Sequence, residues 1–187
     1  VCSMLDAAVD KGLEAVCITD HIDYDFPATP DFPANSFQFD VDEYFSTLTE
    51  WKEKYKGKLD VRIGVEIGLQ AHLGEAYKKL TESYPFDFVI GSNHLLGGED
   101  PYYRELFKTK KDTDAYRQAF QETIENIGKV DSFDVLGHLD YVVRYGTHQA
   151  KEYSYQKFSD EIDAILKKII SMGKGIEMNM AGLKYGL

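Results

Sequence analysis

The sequence predicts an α/β fold built on a parallel sheet. Short apolar runs of strand length alternate along the chain with longer segments whose apolar residues recur at helical spacing. Strands that alternate with helices are joined by right-handed crossovers, so they run parallel. The chain has 187 residues, of which 43% are hydrophobic, and this suits one domain with a substantial core. Because no Ser/Gly linker divides it, we predict a single domain over residues 1–187.

Five apolar runs predict the strands. Each run is short, rich in Val, Ile or Phe, and bounded by Gly, Asp or Pro, as buried strands of a parallel sheet are. In chain order the predicted strands cover residues 14–19, 61–67, 86–92, 133–138 and 175–179.

Helices are predicted between these strands by apolar residues three and four positions apart. The first helix ends at Gly12, since glycine favours the turn that follows a helix, and the second begins at Asp40, which forms a capping box with Glu43. The helices after the first cover residues 40–57, 73–84, 112–129 and 155–172. Two loops, 24–38 and 95–111, are long for connections, which favours a functional role for them.

Charge and composition exclude several classes of partner. The chain has 21 Lys and Arg against 32 Asp and Glu, a net charge of −11, so we expect no binding to nucleic acid or to an anionic membrane. No apolar run approaches the roughly 20 residues of a membrane span, and the first ten residues do not resemble a signal peptide. Cys2 and Cys17 form no metal-binding pair, which favours a reducing, cytoplasmic setting.

Reactive side chains lie at the ends of the predicted strands. His21, Glu66, His94 and His138 stand at the C-terminal ends of four successive strands, and Asn179 stands at the end of the fifth. These ends converge in parallel α/β folds. Histidine and carboxylate are common ligands of zinc, manganese and iron. The pattern therefore predicts a metal site with one ion or several.

Each residue also has a structural interpretation. A single histidine at a strand end is more often a hydrogen-bonded loop residue, and Asp20 could orient an imidazole or cap a turn. Arg144 suits either a phosphate oxyanion or a surface ion pair, and Lys184 could do the same or be solvated. Two histidines lie away from the strand ends and are predicted not to be ligands, namely His72 and His148.

Four short motifs resemble, in order and spacing, successive motifs of the PHP (polymerase and histidinol phosphatase) superfamily. They are ITDH at 18–21, GVEIG at 64–68, FVIGSNH at 88–94 and GHLD at 137–140. Longer segments are similar to the PHP-type histidinol phosphatases, namely PFDFVIGS at 85–92, DPY at 100–102, DYVVRYG at 140–146 and GKGIEMN at 173–179. The resemblance covers nearly the whole chain.

The resemblance implies a distorted, TIM-like (β/α)7 barrel with a trinuclear site for two or three divalent ions. It implies a phosphatase that hydrolyses the small-molecule phosphomonoester L-histidinol phosphate to L-histidinol and phosphate, in histidine biosynthesis. By motif matching, Glu66 bridges metals, and the implied metal ligands are His21, Glu66, His94 and His138. Three of these ligands are also the implied catalytic residues, namely Glu66, His94 and His138.

The resemblance also implies residues around the metals. Arg144 matches a position expected to contact the substrate phosphate. Lys184 stands where the family often has Arg, so its contact with phosphate is a weaker expectation. Three further residues are expected to orient ligands or line the pocket, namely Asp20, Asn93 and Asn179.

Two family motifs have no counterpart in residues 1–187. The family begins with a strand that carries His-x-His and ends with a strand that carries Asp-x-His, and all of these residues bind metal. The resemblance therefore implies a partial barrel, and we expect the chain to be a fragment shortened at both ends.

Other functions remain open at this point. The chain could belong to another PHP phosphoesterase that acts on nucleotides, sugar phosphates or phosphotyrosine, or it could be a non-catalytic PHP domain. A fragment of this length could also be inactive by itself.

Overall fold

A computed structural model describes residues 1–182 as one parallel sheet with helices between its strands. The strands are β1 (Ala15–Ile18), β2 (His21–Ile22), β3 (Asp60–Gly68), β4 (Phe88–Ser92), β5 (Val135–Leu136) and β6 (Gly175–Ile176). The helices are α1 (Cys2–Asp10), α2 (Val41–Tyr55), α3 (Gly74–Ser83), α4 (Glu105–Thr109), α5 (Asp112–Ile127) and α6 (Ser159–Ser171). In this part of the chain, no helix is both long and apolar enough to cross a membrane.

The strands lie in the order β1, β3, β4, β5, β6, and every pairing is parallel. β1 pairs with the first half of β3, and β2 continues beside the second half, where His21 lies opposite Glu66. Over residues 1–182 the sheet does not close on itself, since β1 and β6 are each paired along one side. The predicted α/β class with a parallel sheet is confirmed.

The first predicted strand, 14–19, ends at Ile18 in the structure, and the short strand β2 follows after a break at residues 19 and 20. The hydroxyl of Tyr44, from α2, lies at this break within hydrogen-bond distance of two carbonyl oxygens, 3.2 Å from that of Ile18 and 2.9 Å from that of Gly64. It also accepts a hydrogen bond from the Asp20 backbone N–H at 3.4 Å. A side chain from a helix thus satisfies backbone groups that a continuous strand would have paired.

The loop at 95–111 is more ordered than the sequence predicts. It contains the five-residue helix α4 and a 3₁₀ turn over Pro101–Tyr103. Both elements are too short for apolar periodicity to reveal them.

The register of β4 and β5 is fixed by Asp87 and Asp134, which we call the strand-start aspartates because each directly precedes a strand. Asp87 accepts a hydrogen bond from the Ile63 N–H at 2.8 Å and donates its own N–H to the Ile63 carbonyl at 2.7 Å. Asp134 makes the same pair of bonds with Val89, both at 2.8 Å. Because a slip of one residue would turn every side chain to the other face of the sheet, these bonds hold the strand-end residues on their correct face.

Two groups of buried apolar side chains attach the helices to the sheet. The larger group joins α3, α5 and α6 to the central strands, and its largest fully buried members are Tyr77, Tyr116, Phe120, Phe133 and Phe158. The smaller group joins α1 and α2 to β1 and β3, and includes Leu5, Leu48 and Val61. Full burial of a large apolar side chain contributes about 1.5–3 kcal/mol, so this packing holds the strand ends in place.

Candidate metal centre

The start of β2 and the C-terminal ends of β3, β4 and β5 bring four predicted ligand residues together. His21 opens β2 opposite Glu66 of β3, while His94 and His138 each stand two residues beyond the ends of β4 and β5. The centre of the His94 ring lies 5.4 Å from that of His21 and 5.3 Å from that of His138. The structure thus places three imidazoles in a row beside one glutamate.

Glu66 lies between two of these imidazoles. Its Oε1 atom is 2.9 Å from Nε2 of His94 and 3.0 Å from Nε2 of His138. Burial disfavours the charged form of Glu66 and so raises its pKa. Hydrogen bonds from His138 and His94, together with the charge of His94, have a larger effect and hold the pKa of Glu66 well below its usual range. Glu66 is therefore a carboxylate that faces two imidazole nitrogens.

Asp23, which was not among the predicted site residues, also belongs to the cluster. Its Oδ2 is 2.5 Å from Nδ1 of His21, and its Oδ1 is 2.7 Å from Nδ1 of His94. Burial by itself raises the pKa of Asp23. The charge of His94 and the hydrogen bonds from both imidazoles lower this pKa by more than burial raises it, so the pKa of Asp23 lies below its usual value. One signal in the sequence could have found it, because residues two apart on an extended chain point to the same side.

His94 is held from both sides by carboxylates. Burial lowers its pKa, but the charge and hydrogen bond of Asp23, followed by those of Glu66, raise the pKa of His94 to about 10. Both ring nitrogens of His94 therefore face a carboxylate oxygen. A cation at the Nε2 side would take the place of one proton.

The residues present fit a divalent metal. Two groups of three offer ligand atoms that all lie within 4.8 Å of one another, namely Glu66, His94 and His138, and His21, Asp23 and His94. Imidazole nitrogen and carboxylate oxygen are the donors that zinc, manganese and iron accept. In addition, the buried Nδ1 atom of His138 has no hydrogen-bond partner among residues 1–182. Since buried polar atoms are rarely left unpaired, a partner for this nitrogen would come from outside residues 1–182.

The other predicted site residues lie around this cluster. The backbone carbonyl of Asp20 accepts a hydrogen bond from the Glu66 N–H at 3.1 Å. The Asp20 side chain, however, is exposed, and the imidazoles of His21 and His94 hydrogen-bond to Asp23 rather than to Asp20. This follows from the chain geometry, because Asp20 directly precedes His21 and its side chain points the other way.

Asn93 and Asn179 lie in different surroundings. Asn93 donates to the Thr123 hydroxyl at 2.9 Å and accepts from the Asn126 amide at 2.8 Å, so it ties the chain before His94 to α5. Asn179 is exposed and hydrogen-bonds to Glu177 in its own segment. The Glu177 carboxylate also accepts the backbone N–H of His138 at 2.9 Å. Asn93 therefore fixes the chain next to His94, whereas Asn179 is linked to His138 only through Glu177.

A cavity of about 290 Å³ opens beside His138. Arg144, Tyr141 and Asn179 line it, and the Arg144 guanidinium carbon lies 5.4 Å from the centre of the Tyr141 ring. Lys184 lies outside the described residues. The two histidines predicted not to be ligands stay apart from the cluster, His72 beside Asp25 and His148 beside Asp112, and both are exposed.

The parallel sheet and the cluster of imidazoles and carboxylates at its strand ends indicate an α/β protein of a metal-binding class. The family model described as "PHP domain" matches residues 1–181, and the chain belongs to the PHP domain family.

Its relatives within that family include histidinol-phosphatases. The chain is 33% identical over 175 residues to a Clostridium acetobutylicum protein named "Probable histidinol-phosphatase", and 30% identical over 173 residues to the histidinol-phosphatase of Lactococcus lactis subsp. lactis. These matches cover 94% and 92% of this chain, but the chain spans only 64% and 62% of the two relatives.

A solved structure is similar as well. The crystal structure of histidinol phosphate phosphatase from Lactococcus lactis subsp. lactis, complexed with zinc, L-histidinol and phosphate, matches with a TM-score of 0.84 and 28% identity. The match covers 94% of this chain and 65% of that one.

Proposed function

We propose that this chain forms the metal-binding part of a metal-dependent phosphomonoester hydrolase, a histidinol-phosphatase that converts L-histidinol phosphate and water to L-histidinol and phosphate in histidine biosynthesis. One observation carries the proposal, namely that the imidazoles of His94 and His138 converge on Glu66 at 2.9 and 3.0 Å. The similarity to a phosphatase complexed with zinc, L-histidinol and phosphate supports this choice of substrate. We place the enzyme in the cytoplasm, where its two free cysteines would stay reduced.

Two or three divalent ions would be held by the predicted ligands. His94, His138 and Glu66 would hold one ion together, and His21 would be a further ligand. Ions bound there would supply Lewis acidity toward a phosphoryl oxygen and would lower the pKa of a water molecule. The protein's part is to present these donors in a fixed arrangement, which the strand register and the hydrogen bonds of Asp23 maintain.

The cavity beside His138 would receive the phosphate. Arg144 in its wall can offer two parallel N–H groups to phosphate oxygens, which suits a dianion better than a single ammonium does. Tyr141 and Tyr153 form part of the same wall and would keep water from the bound substrate. We propose that Lys184 adds a second cation, as the resemblance to the family implies.

The experiment is a metal analysis combined with a phosphate-release assay. Both the chain and the full product of its gene are tested with L-histidinol phosphate, AMP and phosphotyrosine. We expect release that is selective for L-histidinol phosphate and a content of two or three divalent ions. His138→Ala should lose release and at least one ion, whereas His148→Ala, which changes an exposed histidine outside the cluster, should retain both.

The other outcomes reassign the function. Faster release from AMP or phosphotyrosine would make the protein a different PHP phosphoesterase with the same metal centre. Bound metal without release from any of the three substrates would indicate a non-catalytic domain. A protein that neither binds metal nor releases phosphate would overturn the proposal entirely.

A further inference from the structure

Asp23 is a buried acid that the predicted ligand set does not contain. It is 2% exposed, and each carboxylate oxygen faces the Nδ1 atom of a different histidine. A buried carboxylate is strongly unfavourable unless it is paired and hydrogen-bonded. Both of its oxygens are occupied in this way, which indicates a position built for a carboxylate rather than one that tolerates it.

The surrounding chain is shaped around this carboxylate. A Cβ atom added to Gly68, the last residue of β3, would lie 1.8 Å from Oδ1 of Asp23, so only glycine leaves room for it. The Asp23 backbone N–H donates to the Phe37 carbonyl at 2.8 Å, and the Phe37 ring stacks on His21 with 5.4 Å between centres. The position of Asp23 is therefore fixed from two directions.

We infer that Asp23 is a positioning residue that orients His21 and His94 toward the metal centre. A carboxylate can only accept hydrogen bonds, so each Nδ1 that faces it carries a proton. An imidazole with a proton on Nδ1 presents the lone pair of Nε2 to a metal, and an outer carboxylate that holds it also fixes the plane of the ring. For His94 this leaves Nε2 on the side of Glu66, at 2.9 Å from its Oε1.

The imidazole of His138 serves as a comparison within the same cluster, because Asp23 does not contact it. The Nδ1 atom of His138 has no hydrogen-bond partner among the described residues, so no carboxylate within residues 1–182 holds that nitrogen, and the carboxylate that His138 faces is Glu66, on its Nε2 side. Asp23 therefore acts on two of the three histidines. A change at Asp23 should alter His21 and His94 and leave His138 as it is.

The variant Asp23→Asn tests this inference. The inference itself rests on the metal centre proposed above. An asparagine of the same shape has one acceptor oxygen and one NH₂ donor, so it can satisfy only one of the two Nδ1–H groups. At the other histidine its NH₂ would favour a proton on Nε2, which a metal would have to displace, so binding at that nitrogen would be weaker. We expect zinc affinity to fall about 10- to 100-fold, the usual effect of losing a carboxylate that orients a ligand.

Two measurements are made on each protein. Zinc titration gives the affinity and the number of ions at saturation, and long-range ¹H–¹⁵N spectra of the zinc-loaded protein show which nitrogen of each histidine carries its proton. The wild type should show Nδ1–H on His21 and His94, and Asp23→Asn should lose it on one of them while binding as many ions at saturation. Asp25→Asn is the matched control, since it breaks an exposed pair with His72 at 3.0 Å and should change neither result.

A second variant, Gly68→Ala, tests the same inference if Asp23→Asn does not fold. Gly68→Ala retains the carboxylate but displaces it, so it should weaken zinc binding in the same way. Unchanged affinity and unchanged tautomers in both variants would overturn the inference. Loss of a whole ion at saturation in Asp23→Asn would also overturn it, because Asp23 would then be a direct ligand. If the wild type itself binds no zinc, the proposed function fails first.

Discussion

Replacing Asn93 with alanine should destabilise the protein by about 2 kcal/mol. The side chain makes two hydrogen bonds to α5, one to the Thr123 hydroxyl at 2.9 Å and one from the Asn126 amide at 2.8 Å. Each such bond contributes about 0.5–1.5 kcal/mol. Asn126 would keep its bond to the Leu69 carbonyl at 3.1 Å, so its amide would not be wholly unpaired. Because His94 follows directly, zinc affinity should also fall, by about 10-fold.

Urea unfolding, followed by circular dichroism, measures the loss of stability. For a chain of this size, 2 kcal/mol should also lower Tm by roughly 4–8 °C. Asn179→Ala is the matched control, because this exposed amide bonds only within its own segment and should change stability by less than about 0.5 kcal/mol. If Asn93→Ala were as stable as this control, the hydrogen bonds to α5 would not be what holds the end of β4.

Three further predictions concern the register, a thiol and the substrate. Asp134→Ala should lower the free energy of unfolding by about 1.5 kcal/mol, since it removes the acceptor of the Val89 N–H, and a urea midpoint equal to that of the wild type would contradict this. Burial raises the pKa of Cys17 to about 11, so at pH 8 it should hold about 100-fold less thiolate than an ordinary cysteine. A thiol reagent should therefore show one fast cysteine, the exposed Cys2, and one slow one, and equal rates would refute the assignment. Arg144→Ala should raise KM for the phosphate ester about 10- to 100-fold, with partial recovery in Arg144→Lys, and an unchanged KM would exclude a contact with phosphate.

Much of the fold could be predicted because its signals are local. A run such as 61–67 is apolar and bounded by turn residues, and this alone predicts a buried strand whatever its neighbours are. The same holds for the position of His94, since a polar residue directly after a buried strand lies at the edge where parallel strands end.

The rest depended on contacts between distant residues. The break in the first strand is stabilised by Tyr44, which lies on α2, and no local pattern around residues 19 and 20 indicates it. Asp23 is recognisable as part of the site only when His94, far along the chain, is placed beside it. The partners of Asn93 likewise lie 30 and 33 residues away. Pairings of this kind are set by tertiary packing, which periodicity and propensity do not encode.

The strand-start aspartates stand at the opposite end of the sheet from the histidines. No residue belongs to both sets, so the histidines can be replaced without removing the hydrogen bonds that the aspartates make. A lineage that lost His94 or His138 would keep Asp87 and Asp134, and with them the alignment of its strands. It would retain its architecture after its chemistry was gone. Among distant descendants of this fold, a shared shape is therefore weak evidence for a shared reaction, and activity has to be judged from the ligand positions themselves.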